Sequence, residues 1–274
     1  MTVSWIDTHN HFWVCDEENR LQKRLEEAIR VGLVQMLICA GCVSHFDRVR
    51  DLAHRFHCGY ALGLHPLYIQ NDWQHDLLIL EKKIQENLSD PFFVAIGECG
   101  LDASSENTTP LEIQEKVFSS QLKLAFRNSL SVSMHGRGAL DHVSKWLRRI
   151  PVKGVLHAFN GSESQAQTFL NLGVKLGYGG AMTYEGSKRI RKILSELPKE
   201  AWVLETDAPD IPSEKARQNN PLNPKSFPSD IAYYGQVASI LRKESIEAVS
   251  TQTIENSLKV FPRFQNIFHE IKIS

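Results

Sequence analysis

The sequence predicts an α/β protein of the (β/α)8, or TIM, barrel class with C-terminal helices, and three observations carry that prediction. Short β-branched, aliphatic or aromatic runs recur eight times. Longer stretches of helical periodicity separate them, as repeated strand-helix units around a parallel sheet require. Eight such units within 274 residues argue for a closed barrel over an open doubly wound sheet. No stretch is rich enough in Pro, Gly or Ser to act as a linker, so residues 1–274 are read as one domain.

In chain order, strands are expected at 3–7, 35–40, 59–64, 92–97, 131–135, 152–157, 174–178 and 201–205. Helices are expected between them at 19–31, 44–57, 74–88, 109–128, 139–149, 162–172 and 187–197. After the eighth strand, Pro209, Pro212, Pro221, Pro224 and Pro228 break a polar stretch too often for a helix interior, which predicts a long loop over the barrel mouth. Helices at 229–242 and 245–260 then close the chain, the second with Ile246, Val249, Ile254, Leu258 and Phe261 as its expected buried face.

Composition narrows the function classes. A hydrophobic fraction of 42% suffices for a full core, and a net charge of -1 offers no broad polyanion-binding surface. An enzyme that grips only a strand end needs few phosphate contacts, so nucleic acid stays open as a substrate. No apolar run approaches the roughly 20 residues that span a bilayer, and no secretory signal is visible. Five cysteines confined to the first hundred residues make no disulfide framework, which points to a reducing, cytoplasmic setting. Cys39-Ala40-Gly41-Cys42 matches C-x-x-C, but no second pair follows, and it is read as two small semi-buried residues in a loop. No obligate protein partner is expected.

The chemistry begins at Asp7-Thr8-His9-Asn10-His11. Alternate residues of a strand share a face, so His9 and His11 can reach one ion, with Asp7 a further step back as a possible hydrogen-bond partner of a ligand imidazole. On this stretch alone, two surface histidines at a strand end fit equally well. The other strand ends decide: His65 follows the third, Glu98 the fourth, His135 the fifth, His157 the sixth and Asp207 the eighth. A barrel gathers all of these ends on one face. His45, His54, His57, His75, His142 and His269 fall in helices or caps and are given no role.

Four imidazoles and two carboxylates exceed a single tetrahedral site and suit two ions whose shared water becomes a bridging hydroxide nucleophile. Glu98, flanked by Gly97 and Gly100, is the expected bridge. His9, His11 and Asp207 would hold one ion, His135 and His157 the other, with Asp207 also the candidate general base. Mixed imidazole and carboxylate ligation suits Zn, Mn, Co or Fe, with Mg usable through the carboxylates.

The blocks Asp7-Thr8-His9-Asn10-His11, Gly63-Leu64-His65-Pro66, Gly97-Glu98-Cys99-Gly100-Leu101-Asp102, His135-Gly136-Arg137, His157-Ala158-Phe159-Asn160-Gly161-Ser162 and Leu204-Glu205-Thr206-Asp207-Ala208-Pro209 together resemble the TatD family of metal-dependent deoxyribonucleases. The resemblance implies a TIM barrel that hydrolyses phosphodiesters, often as a 3′-to-5′ exonuclease on DNA, with the six residues above as metal ligands. It implies that His65 faces the substrate phosphate. Arg137 is then placed to pair with a phosphate oxygen, although a solvent-facing helix-terminal arginine fits the position nearly as well. Ala103 stands where the family often has an aromatic, and Asn10 where it often has cysteine. The Asn-Glu-Pro that follows the family's last strand matches Asn219-Asn220-Pro221 or the neighbourhood of Asn223-Pro224. Ala158-Phe159-Asn160 replaces the familiar Cys-Phe-Ser. These departures bear on substrate preference, and a small-molecule phosphotriesterase, lactonase or amidase remains the alternative activity.

Two further groups are candidates for substrate contact. Gly177, Gly179 and Gly180 lead to Thr183 and a helix beginning near Ser187, a setting in which free backbone N–H groups can bind phosphate. Lys188 and Thr183 are the expected contacts there, with Arg191 and Lys192 on a solvated face. Phe12, Trp13, Tyr68, Trp73 and Tyr184 fall in or near mouth loops, as stacking platforms or as packing.

Overall fold

The structure, a computed structural model, describes residues 3–268 and 271–272; His269 lies outside them. Eight parallel strands, β1 (Trp5–Asn10), β2 (Leu33–Cys39), β3 (Gly59–Leu62), β4 (Phe93–Asp102), β5 (Ser131–Arg137), β6 (Gly154–Leu156), β7 (Val174–Tyr178) and β8 (Trp202–Leu204), pair in sequence order. Helices α1 (Glu18–Arg30), α2 (Phe46–Phe56), α3 (Trp73–Asn87), α4 (Leu111–Arg127), α5 (Leu140–Arg149), α6 (Glu163–Asn171) and α7 (Lys188–Glu196) fill the intervals. This is the predicted TIM barrel.

Strands covered on both faces need near-continuous apolar runs, and β2 and β4 show it, every residue of β4 being buried. Helices bury one stripe: α5 turns Leu140, Val143 and Leu147 inward at helical spacing. Ser162 and Gln165 form a reciprocal capping box that starts α6 after the β6 loop.

The strand lengths depart from expectation. Pairing of β4 continues to Asp102, so Glu98 lies within the strand, while β6 and β8 keep three residues each. The last two stop early because the chain turns out of the sheet just beyond them, at Ala158 (φ 45°) and Asp207 (φ 53°). The β8 to β1 junction closes through individual bonds: Asp207 N–H donates to His9 O at 2.9 Å, His11 N–H to Ala208 O at 2.7 Å, and Thr8 Oγ1 to Leu204 O at 2.9 Å.

The proline-broken stretch is not wholly a loop. Ser213 accepts from Ala216 N–H and caps a short helix, α8 (Glu214–Asn219), which the flanking prolines had hidden. Only Asp210 and Ile211 of this stretch reach the mouth cavity. Two helices follow as expected, α9 (Ile231–Arg242) and α10 (Ile246–Val260). The buried face of α10 is mostly small and polar: Val249, Ser250, Thr253, Asn256, Ser257 and Val260 are buried, whereas Ile246, Ile254 and Leu258 are half-buried. Those polar groups pin the strand starts, since Asn256 Nδ2 donates to Trp202 O at 2.8 Å and Ser250 Oγ to Ser4 O at 2.6 Å. The C-terminal segment thus seals the end of the barrel opposite the strand C-termini and leaves that other end for chemistry. Among the described residues no helix is long and apolar enough to cross a membrane.

Candidate metal centre

All seven residues singled out at the strand ends converge. Glu98 Oε2 lies 3.4 Å from His9 Nε2 and 3.2 Å from His11 Nε2, and Asp207 Oδ1 lies 3.4 and 3.7 Å from the same two nitrogens. The other oxygen, Oε1, lies 2.8 Å from His157 Nε2 and 3.2 Å from both His135 Nδ1 and His65 Nε2. Each oxygen of one carboxylate therefore faces its own set of nitrogens. His65, expected to face substrate, sits in the same cluster as Glu98 and His135.

Backbone geometry makes room for this. A Cβ on Gly100 (φ 146°) would come within 2.1 Å of His135 O, so only glycine lets β4 press against β5 beside Glu98. Asp207 occupies the left-handed region, which aspartate tolerates better than most residues, with its carboxylate turned to His9 and His11.

The donor set fits divalent ions. His9 Nε2 is buried with no hydrogen-bond partner although two carboxylate oxygens lie at 3.4 Å, the arrangement of ligands around a common point. Three groups, His9/Glu98/His157, His9/His11/Asp207 and His65/Glu98/His135, each bring ligand atoms within 4.8 Å of one another. The electrostatics show the same demand for positive charge. Burial, with His157 beside it, pushes the His9 imidazole down to about 3. Burial also opposes charge on His11 and His157, but Glu98 and Asp207 outweigh it and raise them to about 9 and about 10. Burial would lift Glu98, yet the surrounding imidazoles hold it well below the usual carboxylate range. Asp207, with burial dominant, is pushed up to about 6.

Several supporting residues were not found from the sequence. Ser133 Oγ lies 2.8 Å from His9 Nδ1, Cys39 O 3.1 Å from His11 Nδ1, and Asp102 Oδ2 2.9 Å from His135 Nε2. Such partners fix which ring nitrogen is free to ligate. The signal was period two: Asp102 shares a face with Glu98, and Ser133 with His135. On α4, the amide of Gln121 clamps both main-chain groups of Leu64 at 2.8 and 3.0 Å, and Gln114 does the same for Asp102, so one helix holds the ends of β3 and β4.

Asp7 does not contact an imidazole. Its carboxylate accepts from Thr206 Oγ1 at 2.6 Å, Thr206 N–H at 2.8 Å, Asn10 Nδ2 at 3.0 Å and His9 N–H at 3.3 Å, because it faces the β1/β8 seam. Asn10 completes that clamp by accepting from Phe12 N–H.

At the expected phosphate cradle after β7, the glycines and Thr183 face other parts of the chain. A Cβ on Gly177 would meet Glu205 Oε2 at 2.1 Å, so the glycines give room to the β8 extension. Thr183 Oγ1 is committed to Gly180 O and Glu214 N–H, and Lys188 is exposed outside the mouth cavity. That cavity, about 1020 Å³, includes Arg137, whose guanidinium is held 2.7 Å from Glu106 Oε2. Trp13 and Tyr68 line it; Phe12 is buried, Trp73 lies outside the lining, and Tyr184 Oη donates to Pro212 O. In the C-x-x-C pair both cysteines are free, Cys39 buried and Cys42 half-buried.

A TIM barrel with imidazoles and carboxylates gathered at the C-terminal mouth of its strands defines a metal-dependent hydrolase. The family model for TatD related DNase matches residues 6–262, and the chain belongs to that family. It is 33% identical over 268 residues to an uncharacterized metal-dependent hydrolase of Haemophilus influenzae, covering 94% of this chain and 100% of the relative. It is 31% identical to a 3'-5' ssDNA/RNA exonuclease TatD of Rahnella, covering 89% of this chain and 93% of that one. Among solved structures, the TatD homolog YjjV of Escherichia coli matches with a TM-score of 0.86 at 32% identity, over 96% of this chain and 99% of the other.

Proposed function

We propose that this hydrolase cleaves phosphodiester bonds at the ends of single-stranded nucleic acid, as a deoxyribonuclease of the 3′-to-5′ exonuclease type, with two divalent ions. The observation that carries the two-ion reading is the division of Glu98, one oxygen toward His9 and His11 and the other toward His65, His135 and His157. The substrate class is supported by relatives named as a 3'-5' ssDNA/RNA exonuclease and as a deoxyribonuclease, which align over 89% and 98% of this chain.

In this reading His9, His11 and Asp207 would hold one ion and His135 and His157 the other, with one Glu98 oxygen turned toward each group. Bound ions of the Zn, Mn or Mg type would polarise the phosphoryl oxygens and acidify a water. Asp207, beside the same nitrogens as Glu98, is the group that would accept the proton of the attacking water. Arg137 swings from its exposed pair with Glu106 to a phosphate oxygen, and His65 orients that phosphate from the β3 side. The five unpaired cysteines favour a reducing, cytoplasmic setting.

A second reading, a small-molecule phosphotriesterase, lactonase or amidase, has one observation in its favour. Beyond the ligand cluster the mouth carries Glu106, Asp141 and Asp210 against Arg137, an acidic rim for a polyanion. Purified protein assayed with manganese or magnesium against 3′-labelled single-stranded DNA and against a panel of small esters and lactones separates the two. Release of mononucleotides is the expected result, and turnover confined to the small panel would reverse the proposal.

A further inference from the structure

A second cavity of about 540 Å³ lies behind the wall of the mouth. Val14 lines one cavity and Cys15 the other, and Ile211 and Ser213 do the same, so these two segments form a wall common to both hollows. Their charges are opposite. The rear cleft holds Arg20, Arg24, Lys215 and Lys225 against Asp16 and Asp230, while the mouth rim holds one cation against three carboxylates.

The cations are not equally engaged. Arg24 is fixed by Asp16 at 2.7 Å and Glu27 at 3.1 Å and lies over the Phe227 ring at 3.9 Å, forming a floor. Arg20 is held loosely, 3.7 Å from Glu17 and 3.9 Å from Asp16. Lys215, 5.7 Å from the Tyr233 ring and near enough to Asp230 to favour its charged form, makes no ion pair within 4 Å among the described residues, and neither does Lys225. Cations without a close carboxylate, beside the Tyr233 ring, suit a phosphate backbone with a base that can stack.

We propose that this cleft binds the phosphodiester backbone of the substrate strand upstream of the bond being cut, the terminal nucleotide crossing the shared wall into the mouth. The proposal rests on the nucleic-acid reading above and supplies what the acidic rim lacks, an electrostatic hold on the strand. A volume of about 540 Å³ accommodates one or two nucleotides, within the size of ordinary ligand sites.

The test compares Lys215→Glu/Lys225→Glu with Lys123→Glu/Lys259→Glu, which makes the same charge change outside both cavities. Each protein is assayed on a dinucleotide and on a single strand of about ten nucleotides. The cleft variant should raise KM for the long strand about tenfold while leaving dinucleotide turnover within about twofold, and the control should match wild type. Two lost phosphate contacts should also make the salt dependence of strand binding shallower by about 1.4 in log-log slope. Anisotropy of a fluorescent strand on each protein carrying Glu98→Gln reads the cleft without turnover, with loss of binding expected only in the cleft variant. Equal long-strand KM and binding in cleft and control variants would overturn the proposal. Failure of wild type to cleave either substrate would overturn the nuclease reading itself.

Discussion

Asp7 and Glu98 are both buried carboxylates, and both touch His9, one at its main-chain N–H and the other at its ring. Their partners differ in kind. Asp7 is surrounded by fixed dipoles, the Thr206 hydroxyl and N–H, the Asn10 amide and the His9 N–H, and burial pushes it up to about 7. Glu98 is surrounded by five imidazoles that exchange protons and can take metal. A carboxylate met by dipoles locks the chain, here the barrel seam; one met by bases is a site waiting for positive charge. Strand β1 thus supplies structure from Asp7 and chemistry from His9, two positions on.

Substitutions sharpen the contrast. Glu98→Ala should lower hydrolysis by about 10³-fold and abolish the rise in thermal midpoint on adding manganese. Asp7→Ala should instead strand the Thr206 donors and cost about 3 kcal/mol, a fall in midpoint of roughly 6 to 12 °C, while the folded protein still takes up metal. An unfolded Glu98 variant, or a stable and inactive Asp7 variant, would break the distinction.

Asp102→Asn tests the orienting carboxylates. His135 loses its charged partner, and metal affinity measured by calorimetry should weaken by about 10 to 100-fold. A pH profile reads the same charge balance without a substitution. Ligation needs neutral imidazoles, whereas the metal-free carboxylates hold His11 up to about 9 and His157 up to about 10. Protons therefore compete below those values, and apparent affinity should climb steadily from pH 6 to 9, with proton release on binding; a flat profile would contradict the charge balance.

Much of this site was legible in the sequence because barrel topology turns strand ends into neighbours. Once eight strands were counted, His9, His11, His65, Glu98, His135, His157 and Asp207 had to meet. The roles of neighbouring residues were less legible. Asp7 shares strand periodicity with His9, but which side of β1 faces the seam depends on how β8 closes, and no local pattern encodes that. Gly177, Gly179 and Thr183 looked like an anion cradle because glycine signals close approach without naming the approaching group, which is Glu205 and its segment. The buried face of α10 was legible in part: Val249 and Phe261 are buried and Ile246, Ile254 and Leu258 pack against the core as expected, but the strand starts it covers have exposed main-chain groups that call for Asn256 and Ser250 as well. Helix α8 was hidden by prolines that flank it without entering it.

The most direct test is a crystal soaked in manganese and measured at an anomalous wavelength. Two peaks should appear about 3.5 to 4 Å apart, one among His9, His11 and Asp207 and one beside His135 and His157, with Glu98 between them. A single peak on the His9 side, with His135 and His157 free of metal, would contradict the account.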